Sequence, residues 1–238
     1  MAPIEVIISS VIVAIAACIQ GSIGFGLAML AAPLLVLIEP DLVPAPLIVN
    51  GLLLTFLMAY REREAINIRG VIWMTTGCVP GIVVASVVLT AISASGFTIL
   101  FSILVLLAVA LSALGYSIRL TKTNVLIAGT FSGFMSTTSS IGGPPVALIY
   151  QNTPGAQMRG TLSAYFFICG ILALIGLFFV GWFGIDELWL ALSLLPGLII
   201  GFAVSSITTG KLDRYSLRPA VLGLSAMAAI AVLARALL

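Results

Sequence analysis

The chain has no histidine, and charged residues make up only 8% of its 238 positions. No Asp or Glu lies deep inside an apolar run, so the side chains that usually relay protons within a membrane are missing. A carboxylate-based proton antiporter is therefore not expected. There is no GxxxxGK[ST] loop and no HExxH, so ATP-driven transport by this chain alone and zinc proteolysis both lack their residues, and no enzyme is expected. Cysteine is scarce as well. Cys18, Cys78 and Cys169 are far apart in sequence and each sits in an apolar run, which favours packing over a disulfide or a metal site. No metal and no cofactor is expected. The net charge of +2 is small and its Lys and Arg stand at segment ends, so it reads as a topology signal and gives no reason to expect nucleic acid.

What fills the chain is apolar. Hydrophobic residues make up 61%, too many for the polar surface of a soluble globule to cover. Apolar runs of membrane-spanning length cover residues 4–38, 44–60, 70–91, 96–118, 124–151, 160–180, 188–207 and 217–238. Met1 to Glu5 has no positive n-region, so the amino terminus is read as part of the fold and not as a signal peptide. No loop is long enough for a soluble domain, and residues 1–238 form one integral membrane domain whose principal surroundings are lipid.

Two runs are interrupted. As one helix, residues 4–38 would reach roughly 52 Å, against a hydrocarbon core of about 30 Å. Gln20, Gly21, Ser22, Gly24, Phe25 and Gly26 mark where it breaks, because glycine accepts non-helical dihedrals. The fifth run breaks through Ser136, Thr137, Thr138, Ser139, Ser140, Gly142 and Gly143 into Pro144 and Pro145, which disfavour helix on their amino-terminal side. A broken membrane helix exposes backbone N–H and C=O groups, which lipid cannot satisfy but a buried solute can.

The chain also echoes itself. Gly21 with Gly133 and Pro33 with Pro145 bring the two breaks into register, and Val79-Pro80-Gly81-Ile82-Val83-Val84 resembles Leu195-Pro196-Gly197-Leu198-Ile199-Ile200. The repeats run over about 1–120 and 121–238. If every run crossed once, Arg61, Arg63 and Arg69 would face away from Lys211, Arg214 and Arg218, with little positive-inside bias. If the fifth run dips in and returns, nine of the ten Lys/Arg share one face, near residues 61–69, 119–123, 152–159 and 208–218. That face is expected to be cytoplasmic. The fold expected is all-α and polytopic: two inverted repeats, each a broken, re-entrant hairpin plus three transmembrane helices. The loop charges require only the second hairpin; the first run is either a hairpin or a kinked span.

The second break offers five consecutive hydroxyls, two glycines for close backbone approach, and a half-helix beginning near Pro144 whose positive end suits an anion. The first break adds Gln20 and Ser22 as polar side chains, Gly24 and Gly26 as backbone approach points, and Phe25 as a wall or gate. Asn50 either ties helices together or touches solute. Arg159 either sets topology or collects anions at the mouth. Pro33, Pro80, Pro144, Pro145 and Pro196 are candidate hinges. With no buried Arg or Lys expected, the site reads as an uncharged cradle of donors.

These residues resemble the TauE/SafE family of sulfite exporters and related anion permeases. The resemblance rests on Gly21-Ser22-Ile23-Gly24-Phe25-Gly26 with Ala32-Pro33, and on Gly133-Phe134-Met135 leading through Ile141-Gly142-Gly143-Pro144. It implies transport of small sulfur-containing or organic anions, in the class of sulfite, sulfoacetate and thiosulfate, across the cytoplasmic membrane by alternating access, with export the expected direction. A passive anion channel, or a permease for a different small solute, is the alternative.

Overall fold

The computed structural model describes residues 2–114, 118–208 and 218–237. Lys211 and Arg214, two of the basic residues counted toward topology, lie outside them, as does the Arg218 side chain. Among the described residues ten α-helices follow in order: α1 (Pro3–Ile23), α2 (Leu27–Ile38), α3 (Ala45–Arg61), α4 (Ile68–Ala91), α5 (Ala94–Leu114), α6 (Lys122–Ser139), α7 (Gly143–Tyr150), α8 (Gly155–Phe179), α9 (Ile185–Thr208) and α10 (Arg218–Leu237). Among the described residues there is no strand. Six segments, built on α1, α3, α4, α5, α8 and α9, are long and apolar enough to cross a membrane.

Both expected breaks are present, each shorter than the sequence suggests. Helix α1 runs on through Gly21 and Ser22, and the chain turns only at Gly24-Phe25-Gly26, where φ is 109° at Gly24 and 126° at Gly26. Left-handed backbone of this kind favours glycine. Helix α6 likewise runs through Ser136 to Ser139 and ends on Ser140, whose φ of 63° is the one non-glycine positive value among the described residues. Hydroxyls explain the extra turns. Ser22, Thr137, Thr138 and Ser139 donate to the carbonyls of Cys18, Gly133, Phe134 and Met135, one turn back in their own helices. In an apolar medium those carbonyls are the nearest acceptors, so polar side chains that favour loops in water are accommodated within a helix.

The two breaks are capped alike. The Gly24 N–H closes on the Gln20 carbonyl, and the Ser140 N–H closes on the Ser136 carbonyl. The helix pairing has the same two-part character. Helix α4 packs along α6 while α1 packs along α9, and α3 meets α8 while α5 meets α10. Exchanging α1–α5 with α6–α10 leaves this pattern unchanged. The closest approaches use glycine: a Cβ at Gly81 would strike the Thr130 carbonyl, and one at Gly197 would strike the Ser10 carbonyl. In both helices the preceding proline, Pro80 or Pro196, faces outward.

Charge separates the ends of the bundle. Glu62 pairs with Arg159, the Asn67 N–H bonds to Thr161, and the Ile118 N–H bonds to the Leu148 carbonyl, so one end gathers Arg61, Arg63, Arg69, Arg119, Lys122 and Arg159. At the opposite end Arg235 donates to the Leu37 carbonyl, in a group with Pro40, Asp41, Ser95 and Trp182. The flanks between are apolar and exposed: Ile4, Ile7, Val11 and Ile15 form one stripe along α1, and Val83 and Val87 another on α4. Such stripes suit contact with lipid tails.

Candidate functional site

The two breaks meet. Gln20, Phe25 and Gly26 from the first, with Ser136, Ser140, Gly142 and Gly143 from the second, line one space. Helix α3 contributes Gly51 and Thr55 to its wall, and α8 contributes Phe166 and Gly170. Phe25 lies directly against Gly143, so a residue of one break touches a residue of the other.

The polar groups facing this space are fewer than the sequence suggests. Thr137, Thr138 and Ser139 are fully buried, and their hydrogens are used within α6. Of the five hydroxyls, Ser136 and Ser140 line the cavity, and Ser140 donates to the Pro44 carbonyl at 2.9 Å. Gln20 lines it too, but its Oε1 accepts the Leu27 N–H at 2.8 Å and so caps α2 across the break. At the second half-helix, Pro144 and Pro145 bring no N–H, and of the first three positions of α7 only Gly143 carries one.

Other candidate residues sit elsewhere. Gly21 faces α9, where a Cβ would strike Ser205, and Ser22 turns back to its own helix. Gly24 lies beneath the Arg159 side chain. Asn50 is fully buried outside the cavity wall; its Nδ2 donates to the Pro46 carbonyl at 3.1 Å and to the Ala191 carbonyl of α9 at 3.0 Å. Its Oδ1 has no partner among the described residues. Pro33 is buried within α2, and Pro80 and Pro196 lie within α4 and α9.

Two hydroxyl residues escaped the sequence reading. Thr55 lines the cavity and donates to the Gly51 carbonyl at 2.7 Å; its only signal was a hydroxyl one turn after a glycine in an apolar run. Ser132 donates to the Gly142 carbonyl at 2.6 Å and so fastens the second break to α6.

A second space adjoins the first toward the basic end and is mostly apolar, with Ile19, Ile23, Leu148, Met158 and Val221 among its walls. Phe25, Gly26, Met29 and Pro144 border both spaces. Phe25 therefore stands where one opens toward the other.

Arg61 is a half-buried cation at the basic end that lines neither space. It ends α3 directly beneath the end of α1, and its Nη2 donates to the Gly21 carbonyl, one of the carbonyls a helix end leaves open. Its side chain is only 23% exposed, and among the described residues its Nε, 3.6 Å from the Glu62 carboxylate, has no hydrogen-bond partner; nor does Nη1. The Phe202 ring lies 5.5 Å from the guanidinium. Glu62 in turn accepts from Arg159 Nε at 2.8 Å. In sequence Arg61 is one of a run of loop charges; only the helix ends that meet around it show that it packs inward.

A family model described as Sulfite exporter TauE/SafE matches residues 9–232 of the chain. No curated protein and no solved structure matches it.

Proposed function

The chain belongs to the sulfite exporter TauE/SafE family, and on that premise we propose that it is a permease that carries small sulfur-containing or organic anions out across the cytoplasmic membrane. The observation that carries this reading is the meeting of two broken helices on one cavity. A solute held there touches α2 and α7 at once, so closing one side and opening the other acts on the same bound anion.

The donors are Ser136, the Gln20 amide nitrogen, and backbone near Gly26, Gly142 and Gly143, while Ser140, its hydrogen given to the Pro44 carbonyl, holds the second break against the start of α3. Hydroxyls and N–H groups hold an oxyanion without a fixed cation in the cavity wall, which lets the anion leave again. Phe25 gates the cavity toward the apolar space and the basic end. The exchangeable helix pairing supports two repeats, and returning hairpins at α1–α2 and α6–α7 make them inverted, with Pro33, Pro80, Pro144, Pro145 and Pro196 as hinge points. The basic end is cytoplasmic by the positive-inside rule. An inside-negative potential then drives anion efflux by about 2.3 kcal/mol per charge per 100 mV, without a coupling ion.

Purified protein in liposomes tests this. Efflux of sulfite, thiosulfate, sulfoacetate and small carboxylates, measured at two potentials, is expected to saturate for at least one of them and to quicken when the interior is negative. No flux of any of these anions overturns the proposal.

A further inference from the structure

The charged cluster at the basic end does more than mark topology. Arg159 Nε is held by Glu62 at 2.8 Å, its side chain is 18% exposed, and no other described residue bonds its Nη1 or Nη2. The carboxylate therefore holds Nε and leaves Nη1 and Nη2 without a hydrogen-bond partner among the described residues, with Nη1 close over Gly155. Two arginines and one glutamate leave the cluster with a net positive charge, in a partly buried place where charges are screened less than at a surface.

We propose that Arg159 is the docking site for the transported oxyanion on the basic end, an inference that rests on the transport reading above. The unbonded Nη pair is a planar fork that matches two oxygens of a sulfonate, sulfite or carboxylate. Arg61, its Nη2 tied to α1 and its Nε 3.6 Å from the Glu62 oxygen that holds Arg159, adds positive charge beside it.

Position links this site to the cavity. A Cβ at Gly24 would stand 2.9 Å from Arg159 Cγ, so the arginine lies over the left-handed turn that joins α1 to α2. Phe25, the residue on that turn, borders both spaces, and Met158, next to Arg159, lines the apolar one. An anion on the fork thus sits at the outer margin of the route whose inner wall is Phe25. The apolar lining there suits an anion with a short carbon chain, its charged head on Arg159 and its chain against Met158 and Ile23.

Sided flux measurements test the proposal, using sulfite and sulfoacetate with vesicles of both orientations. Arg159→Gln is expected to raise the half-saturating concentration about tenfold from the basic end, with the maximal rate retained and the opposite end unchanged. Arg159→Lys, which keeps the charge but loses the fork, is expected to fall between. Where the single variant fails to insert because Glu62 is left unpaired, Glu62→Gln with Arg159→Gln removes both charges and is expected to show the same one-sided rise. An unchanged half-saturation from the basic end, or an equal rise from both ends, overturns the docking site while the transport reading stands. A wild-type protein that moves no anion overturns the transport reading itself.

Discussion

Valine at both Gly142 and Gly143 abolishes anion flux while the protein still inserts into the membrane. The two positions fail for different reasons. At Gly142 a Cβ stands 2.9 Å from the Ser132 carbonyl, from Ser132 Oγ and from Ser136 Cβ, so the break must move away from α6. The hydrogen bond from Ser132 to the Gly142 carbonyl is strained or lost with that movement. At Gly143 a Cβ stands 3.3 Å from the Phe25 ring, and the two further methyls of valine have nowhere to go but into the cavity or against that ring. Overpacking of this kind costs about 1–3 kcal/mol, roughly a tenfold to hundredfold loss where it falls on a transport step. Membrane insertion depends on the apolar spans, which the substitutions do not touch. Flux in liposomes beside the yield of inserted protein checks the prediction, and unchanged flux removes the second break from the site. Gly143→Ala serves as the graded case: its Cβ asks the Phe25 ring for only a few tenths of an ångström, so partial flux is expected.

Phe25→Ala produces the opposite failure. The ring stands between the space at the two breaks and the one toward the basic end. Removing it takes away the one aromatic ring on the border, which the two spaces otherwise share along Gly26, Met29 and Pro144, and is expected to join them. A carrier needs the solute shut off from one side while it is open to the other. Without the ring, flux is expected to stop saturating with solute and to lose stimulation by solute on the far side, as in a pore. The turn itself survives, since it depends on the positive φ of Gly24 and Gly26 and on the Gln20 cap to Leu27, none of which involves the ring. Saturation curves and trans-stimulation measured side by side test the claim; a variant that still saturates and still exchanges shows that Phe25 is not the gate.

The sequence showed where the chain breaks but not where its polar groups point. Glycine and proline punctuate a helix through local backbone geometry, so Gly24, Gly26 and Gly142 could be read as break points without any knowledge of neighbours. Helix ends in the bundle fall close to the apolar runs for the same reason, since lipid forces every backbone group into a helix. Hydroxyls have no such local rule. Thr137, Thr138 and Ser139 are indistinguishable in sequence from Ser136 and Ser140, yet rotation about α6 turns three of them away from the cavity and leaves two on its wall. Asn50 was balanced between helix tie and solute contact, and its bonds to Pro46 and Ala191 show the tie. Arg61 misled in the other direction. At the end of an apolar run a basic residue reads as a loop charge, and only the meeting of α3 with the end of α1 turns it inward.

The most direct measurement of the central claim, that the two breaks form one moving site, is a cross-link between them. Phe25→Cys and Gly143→Cys place thiols on residues that now touch across the breaks, in a background with Cys18, Cys78 and Cys169 replaced by alanine. The account predicts that a disulfide or short thiol cross-linker joins them, that sulfite flux stops when they are joined, and that reduction restores it. Full flux in the cross-linked protein, or thiols that cannot be joined at all, contradicts it.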